Sequence, residues 1–328
     1  MRELILIDVS ESSSVGQVRR AAASTGQRLG LDADTLARAS LVITELATNL
    51  IKHASAGVML IGRDDATGEM LEILALDSGP GIANVPDALS DGHSTTGTPG
   101  TGLGAISRHA DFVQLYTRRG HGTAVLARFG HGGERSGAAA LFGGISVPIR
   151  GEDVCGDGWL SKGKPGHHDL MVVDGLGHGR QAHEAAVAAC EAFTAASGSP
   201  SERMNILHDA LRGTRGAAVA IADADSAAGV LRFCGVGNIS ATIVDPLARR
   251  SAVSMHGIVG HQMREAREFT YPWSRQSSLI MHSDGLTTKW NLDAYPALLS
   301  RDPVLTAAVL WKEHHRQNDD STVVVSLA

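Results

Sequence analysis

LMVVDGLGHG, residues Leu170 to Gly179, drives an apolar run into a carboxylate, Asp174, and follows it at once with glycines. A buried strand that ends in Asp-Gly presents a hard oxygen ligand at a sheet edge, where an oxygen-seeking cation can take it. Working outward from it, three more aspartates occupy comparable settings: Asp157 in CGDGW, Asp284 after the apolar run in LIMHSDG, and Asp319 in NDDSTVVVS, just ahead of a terminal strand. One Asp-Gly alone is more commonly a turn or a helix cap. Four at strand ends are expected to cradle a pair of divalent cations, and an acidic set without His or Cys partners favours Mg2+ or Mn2+ over zinc.

The rest of the composition agrees with a folded, two-domain chain. At 328 residues and 43% hydrophobic content it can bury ample core, and its length favours two domains over one. A formal net charge of -6 without a long Lys/Arg run argues against a nucleic-acid or anionic-membrane surface. Cys155, Cys190 and Cys234 form no CxxC pair, so neither a disulfide framework nor a thiolate zinc site is expected. No apolar run approaches a bilayer span and MRELILIDVSE lacks a cationic leader, so the expected location is the cytoplasm. Oligomeric state is not legible.

Gly130 to Ala140, reading GHGGERSGAAA, has neither strand nor helix period and reads as a linker, giving a first domain over 1–130, a linker over 131–140 and a second domain over 141–328. In the first domain a strand over Leu4–Val9, a helix near Val15–Leu29 and a longer helix capped by Asp32 or Asp34 and running to about His53 are predicted. Strands near Val58–Gly62 and Met70–Leu76, a glycine-rich loop over Gly79–Gly104, a short helix over Leu103–Ala110 and a hairpin of Phe112–Thr117 with Thr123–Phe129 complete an α+β unit. In the second, strands at Gly144–Ile149 and Leu170–Val173 precede helices near Gln181–Ala196 and Ser201–Leu211. Further strands at Ala217–Ala222, Val230–Cys234, Ser240–Val244, Leu279–His282 and Thr322–Leu327 suggest layered sheets flanked by helices.

Three pieces of the first domain point to a nucleotide. In LVITELATNLIKHA, Glu45 and Asn49 stand four apart on one helical face, polar where a core helix should be apolar. ILALDSGPGI ends a strand in Asp77, with Gly79 and Gly81 permitting close backbone approach. GTGLGA places Gly100, Gly102 and Gly104 at a helix start, where free N–H groups and the dipole suit phosphates. In this order and spacing the pieces resemble the ATP-binding fold of the GHKL superfamily, specifically the RsbT/RsbW-like anti-sigma-factor serine/threonine kinases. The resemblance implies ATP with Mg2+ held by Asn49, Glu45 as the base on the substrate hydroxyl, Asp77 reading the adenine amino group, and the later glycines folding over the phosphates.

The aspartate set of the second domain, with FCGVGNISATIV, resembles the PPM-type protein phosphatases, closest to the SpoIIE and RsbX-like branch. That likeness implies Asp174 bridging two metals, the carbonyl of Gly175 contacting one through water, Asp157 serving one metal, and Asp284 with Asp319 the other. A water acidified by the two cations would attack phosphorus in line. Asp319 is preferred to Asp320 because the family aspartate stands three residues before the Thr, as Asp319 does before Thr322. Longer members carry a His directly after Asp-Gly. Here Leu176 and Gly177 intervene before His178, leaving it open between general acid and loop-shaping residue. Arg150 and Arg180 are candidates for a phosphate-holding Arg. Trp159, Trp273, Trp290, Trp311 and Cys190 read as packing residues, and His314 and His315 as complements to helix C-terminal carbonyls.

Together the halves imply a partner-switching regulator of the stress-response type, with a metal-dependent Ser/Thr phosphatase and a serine-kinase-like ATP module addressing phosphorylated antagonist or scaffold proteins of the STAS type. Two rival readings give the ATP module no turnover: a switch that sequesters a sigma factor or antagonist, or an ATP sensor for the phosphatase. Neighbouring genes encoding an antagonist and its scaffold would discriminate the substrate.

Overall fold

The computed structural model describes residues 4–54, 56–64, 68–89, 102–131, 140–164 and 166–328. The chain divides into two compact units, one of Glu3–Ala139 with Ser300–Val309, the other chiefly of Ala140–Leu299 and Leu310–Ala328.

In the first unit β1 (Ile5–Val9) leads into α1 (Ser12–Arg28) and α2 (Ala33–His53), followed by β2 (Gly57–Arg63), β3 (Leu71–Asp77), α3 (Val85–Leu89), α4 (Gly102–His109), β4 (Phe112–Arg118) and β5 (Gly122–Phe129). The strands form one antiparallel sheet in the order β1-β2-β3-β5-β4. Alternate strand residues, among them Met59, Ile61, Ile73 and Ala127, face Val18, Val42, Ile43, Leu46 and Leu50 of the long helices, because a sheet residue and its second neighbour share a face. Of the two cap candidates Asp32 serves, its Oδ1 accepting from the Thr35 amide at 2.7 Å. The short helix α3 stands inside the stretch read as a glycine-rich loop, whose 90–101 portion, with Gly100, lies outside the described residues.

The second unit begins with β6 (Phe142–Val147), β7 (Asp157–Lys164) and β8 (His167–Gly175), then α5 (Arg180–Ala195) and α6 (Pro200–Ala210). It continues with β9 (Ala217–Asp225), β10 (Val230–Val236), β11 (Ser240–Asp245), β12 (Ala248–Ser251), β13 (Ser254–Met255), β14 (Phe269–Pro272), β15 (Ser278–His282) and β16 (Ser321–Leu327), and between the last two strands runs α7 (Pro303–His314), whose residues up to Val309 belong to the first unit. Two sheets result, β13-β10-β9-β8-β7 with β14 beside β10, and β12-β11-β15-β16-β6. Leu170, Val172, Ala220, Ala222, Leu231 and Phe233 of the first share one core with Ala241, Ile243, Leu279, Met281 and Val324 of the second. The alternate residues Met171, Val173, Val219 and Ile221 instead meet Ala186, Ala189, Phe193, Met204 and Leu207 of α5 and α6. This is why LMVV is apolar without alternation: β8 is covered on both faces. The fold is therefore α+β, a helix-covered antiparallel sheet in one unit and a helix-flanked β-sandwich in the other.

Several elements escaped the sequence reading: the strand β7, the short strands β12, β13 and β14, and the start of helix α7, of which only the end at His314 and His315 was read. DGWLSKGK carries no strand pattern, yet β7 pairs along its whole length with β8, so the pairing comes from the neighbour and not from propensity. The helix α7 is buried along most of its length, with Val304, Leu305, Thr306, Ala307, Ala308 and Leu310 all at 0% exposure. It therefore lacks the amphipathic period by which helices are found. No helix among the described residues is long and apolar enough to cross a membrane.

Candidate functional site

The end of β8 and the start of β7 meet the end of β15 and the start of β16 at one end of the sandwich. Asp157 and Asp174 are direct cross-strand partners, and the Gly175 amide donates to the Gly156 carbonyl at 3.0 Å. From the other sheet, Ser283 and Asp284 leave β15 while Asp319 and Asp320 enter β16. The Ser283 amide donates to the Thr322 carbonyl at 3.1 Å. Ser283 Oγ spans the two sheets, donating to Asp157 Oδ2 at 2.5 Å and accepting from the Thr322 amide at 3.0 Å. Gly175 is required by close approach, since a Cβ there would lie 2.3 Å from the Ala182 carbonyl oxygen.

This convergence brings Asp157, Asp174, Asp284 and Asp319 within electrostatic reach of one another. Burial first, then the neighbouring Asp174, pushes the fully buried Asp157 carboxyl well above the usual carboxylate range. Burial, followed by Asp284 and Asp319, pushes Asp174 up to about 7. Burial and Asp284 also raise Asp319. Crowded hard oxygens that resist ionisation on their own are the donor chemistry that a divalent cation relieves. An acid whose folded pKa is raised holds its proton longer in the folded chain, so its stabilising share is full at low pH and is lost as pH rises from the ordinary carboxylate range through about 7. A bound cation must displace that proton. The thermal-shift gain from Mn2+ is accordingly expected to be larger at pH 8 than at pH 6, and an equal gain at both would contradict the assignment.

Asp320 is differently employed. Its Oδ1 accepts from the Ile149 amide and its Oδ2 from the Gly156 amide, each at 2.7 Å, so it staples the segment between β6 and β7. Asp319 is the partly exposed member of the pair. His178 is exposed and its Nδ1 pairs with Glu152 Oε1 at 2.8 Å, which fixes the loop after Gly175. Arg180 is the first residue of α5 and exposed, as is Arg150. Ser283, Glu152 and Asn238, whose Nδ2 donates to Asp284 Oδ2 at 2.7 Å, were missed by sequence reasoning. Their signal was adjacency to the motifs, as in HSDG and GVGN. Trp159, Trp273, Trp311 and Cys190 are buried, whereas Trp290 is partly exposed and donates to His282 Nε2 at 3.3 Å. His315 Nδ1 meets the Trp311 carbonyl at 2.9 Å as expected of a helix end, but His314 instead pairs with the Tyr295 hydroxyl at 2.7 Å.

In the other unit, Glu45 and Asn49 are partly exposed on α2, which packs against β3 and α4. Asp77 closes β3, and its Oδ1 accepts from the Gly79 amide at 2.8 Å, making a tight turn past the end of α2. Gly81 has φ 73°, and a Cβ there would lie 2.3 Å from the Arg118 carbonyl oxygen, so only glycine fits. Gly102 opens α4 and Gly104 is buried in its first turn.

A ring nitrogen of His167 and carboxylate oxygens of Asp169 and Asp223 also lie within 4.8 Å of one another. Arg203 sits 2.7 Å from Asp169 and 3.7 Å from Asp223, and Arg232 3.7 Å from Asp223, so cations of the chain itself already neutralise that cluster.

The two sites define a bipartite class, an ATPase-type module followed by a sandwich with an aspartate centre. Residues 9–129 match the histidine kinase-like ATPase domain family, and residues 164–326 match the stage II sporulation protein E (SpoIIE) family. The chain is 34% identical over 110 residues to the serine/threonine-protein kinase RsbT of Bacillus subtilis (strain 168), a match covering 33% of this chain and 83% of RsbT. A solved structure from work on the bacterial stressosome as a modular system superposes with a TM-score of 0.52 at 27% identity, covering 57% of this chain and 98% of that one. RsbX in complex with magnesium superposes with a TM-score of 0.50 at 20% identity, covering 57% and 94%, which shows a shared fold. The chain belongs to these families: it joins an RsbT-related GHKL-type ATPase domain to a SpoIIE-type PPM phosphatase domain, the architecture of partner switching.

Proposed function

We propose that the chain is a metal-dependent protein serine/threonine phosphatase acting on phosphorylated STAS-type antagonist or scaffold proteins in the cytoplasm, with an ATP-binding serine-kinase-like module over 1–130, a linker over 131–140 and the phosphatase over 141–328. The observation that carries this reading is the convergence of Asp157, Asp174, Asp284 and Asp319 from both sheets, with the carboxyls of Asp157, Asp174 and Asp319 raised by burial and by one another. The donor set fits Mg2+ or Mn2+: hard oxygens only, with no His or Cys among them. Asp174 would face both ions, Asp157 one, Asp284 and Asp319 the other, with the Gly175 carbonyl beside them. Two bound ions would supply an acidified water and neutralise phosphate charge.

In the first unit, Asp77 would take the adenine amino group, Asn49 the Mg2+ of ATP, and Gly79, Gly81, Gly102 and Gly104 the close backbone approach. Glu45 would accept the substrate hydroxyl proton, which supports turnover over sequestration alone. The relative RsbT is a serine/threonine-protein kinase and the structural relative comes from work on the stressosome, and both support the same class of partner. The test is phosphate release from a phosphoserine-bearing antagonist protein. Release in Mn2+ that stops on chelation with EDTA and returns with added Mn2+ is expected, whereas release indifferent to EDTA would remove the metal from the account.

A further inference from the structure

Each carboxylate proposed as a metal ligand has two oxygens, and a cation needs one of them left free and correctly turned. On the Asp157 side, Oδ2 is taken by Ser283 Oγ at 2.5 Å, and Ser283 is itself fixed by the Thr322 amide at 3.0 Å. Ser283 has 0% exposure, so no water competes for that bond. On the Asp284 side, Oδ2 is taken by Asn238 Nδ2 at 2.7 Å, from the turn between β10 and β11. Both donors are neutral. Each turns its carboxylate without adding a positive charge that would repel a cation, which a Lys or Arg in the same place would do. Asp174, by contrast, hydrogen-bonds to another carboxylate, that of its cross-strand partner Asp157.

We infer that Ser283 and Asn238 are positioning residues that divide the centre between them: Ser283, holding one oxygen of Asp157, turns the other toward one cation, and Asn238, holding one oxygen of Asp284, turns the other toward the second. This rests on the metal-phosphatase reading above and extends it to residues that bind no metal. The two bonds arise from different elements, β15 with β16 for Ser283 and the β10–β11 turn for Asn238, so each can be removed alone. Supporting hydrogen bonds of this kind typically govern metal affinity by about 10- to 100-fold.

Mn2+ binding to the intact chain, followed by calorimetry and by electron paramagnetic resonance of free Mn2+, tests the inference without reference to turnover. The wild type is expected to show two binding events. Asn238→Ala is expected to weaken one event by about 10- to 100-fold and leave the other within about twofold. Ser283→Ala is expected to weaken the complementary event. Ser283→Cys, which keeps the volume and a weaker donor, is expected to fall between it and the wild type, and serves if the alanine variant does not fold. Both variants weakening the same event, or neither changing either event, overturns the inference while the phosphatase reading stands. A wild-type chain that binds no Mn2+ overturns that reading and this inference with it.

Discussion

Asp174→Asn is expected to lower phosphate release from a phosphoserine protein at least about 1000-fold, equivalent to about 4 kcal/mol of transition-state stabilisation. Asparagine keeps the shape of the side chain but brings only a neutral carbonyl oxygen to a position proposed to serve two cations. The same change removes a carboxylate that burial and its neighbours Asp284 and Asp319 hold up at about 7. Above that pH the charged form is costly in the cation-free fold, so the variant should melt at the same temperature as the wild type, or higher, in EDTA at pH 8. Mn2+ should then stabilise the wild type far more than the variant. Loss of release without loss of the fold is the signature. A variant that keeps releasing phosphate would remove Asp174 from the centre.

Glu45→Gln is expected to reduce transfer of label from γ-labelled ATP to an antagonist protein by about 100- to 10,000-fold, the range in which general bases act. Glu45 shares a partly exposed face of α2 with Asn49, whereas the adenine would be read by Asp77 at the end of β3. Nucleotide affinity should therefore change little. If the wild type binds ATP and transfers no label, the module is a switch or a sensor, and the Glu45 substitution will be silent.

Much of this was legible in the sequence because its cause is local. LMVVDG is apolar in every position up to Asp174 because β8 is covered on both faces, and the carboxylate stands where the sheet ends. An acid at the start of α2 and Gly81 announce a cap and a close approach by residue type, although only the structure chooses Asp32 over Asp34. What was hidden depends on partners. β7 is polar and glycine-rich, and forms because β8 lies beside it. The first part of helix α7 is buried on every side and shows no period, although His314 and His315 announced its end. Asp319 and Asp320 are the same residue twice, and only the structure reveals that Asp320 spends both oxygens on the amides of Ile149 and Gly156. Ser283 and Asn238 enter through one donated hydrogen each, to Asp157 and to Asp284, which no spacing encodes.

The most direct measurement is an anomalous difference map from crystals of the intact chain grown with Mn2+. Two peaks are predicted flanking Asp174, one against Asp157 and the other against Asp284 and Asp319. Absence of any peak within ligand distance of Asp174, or density at His167, Asp169 and Asp223 instead, would contradict the account.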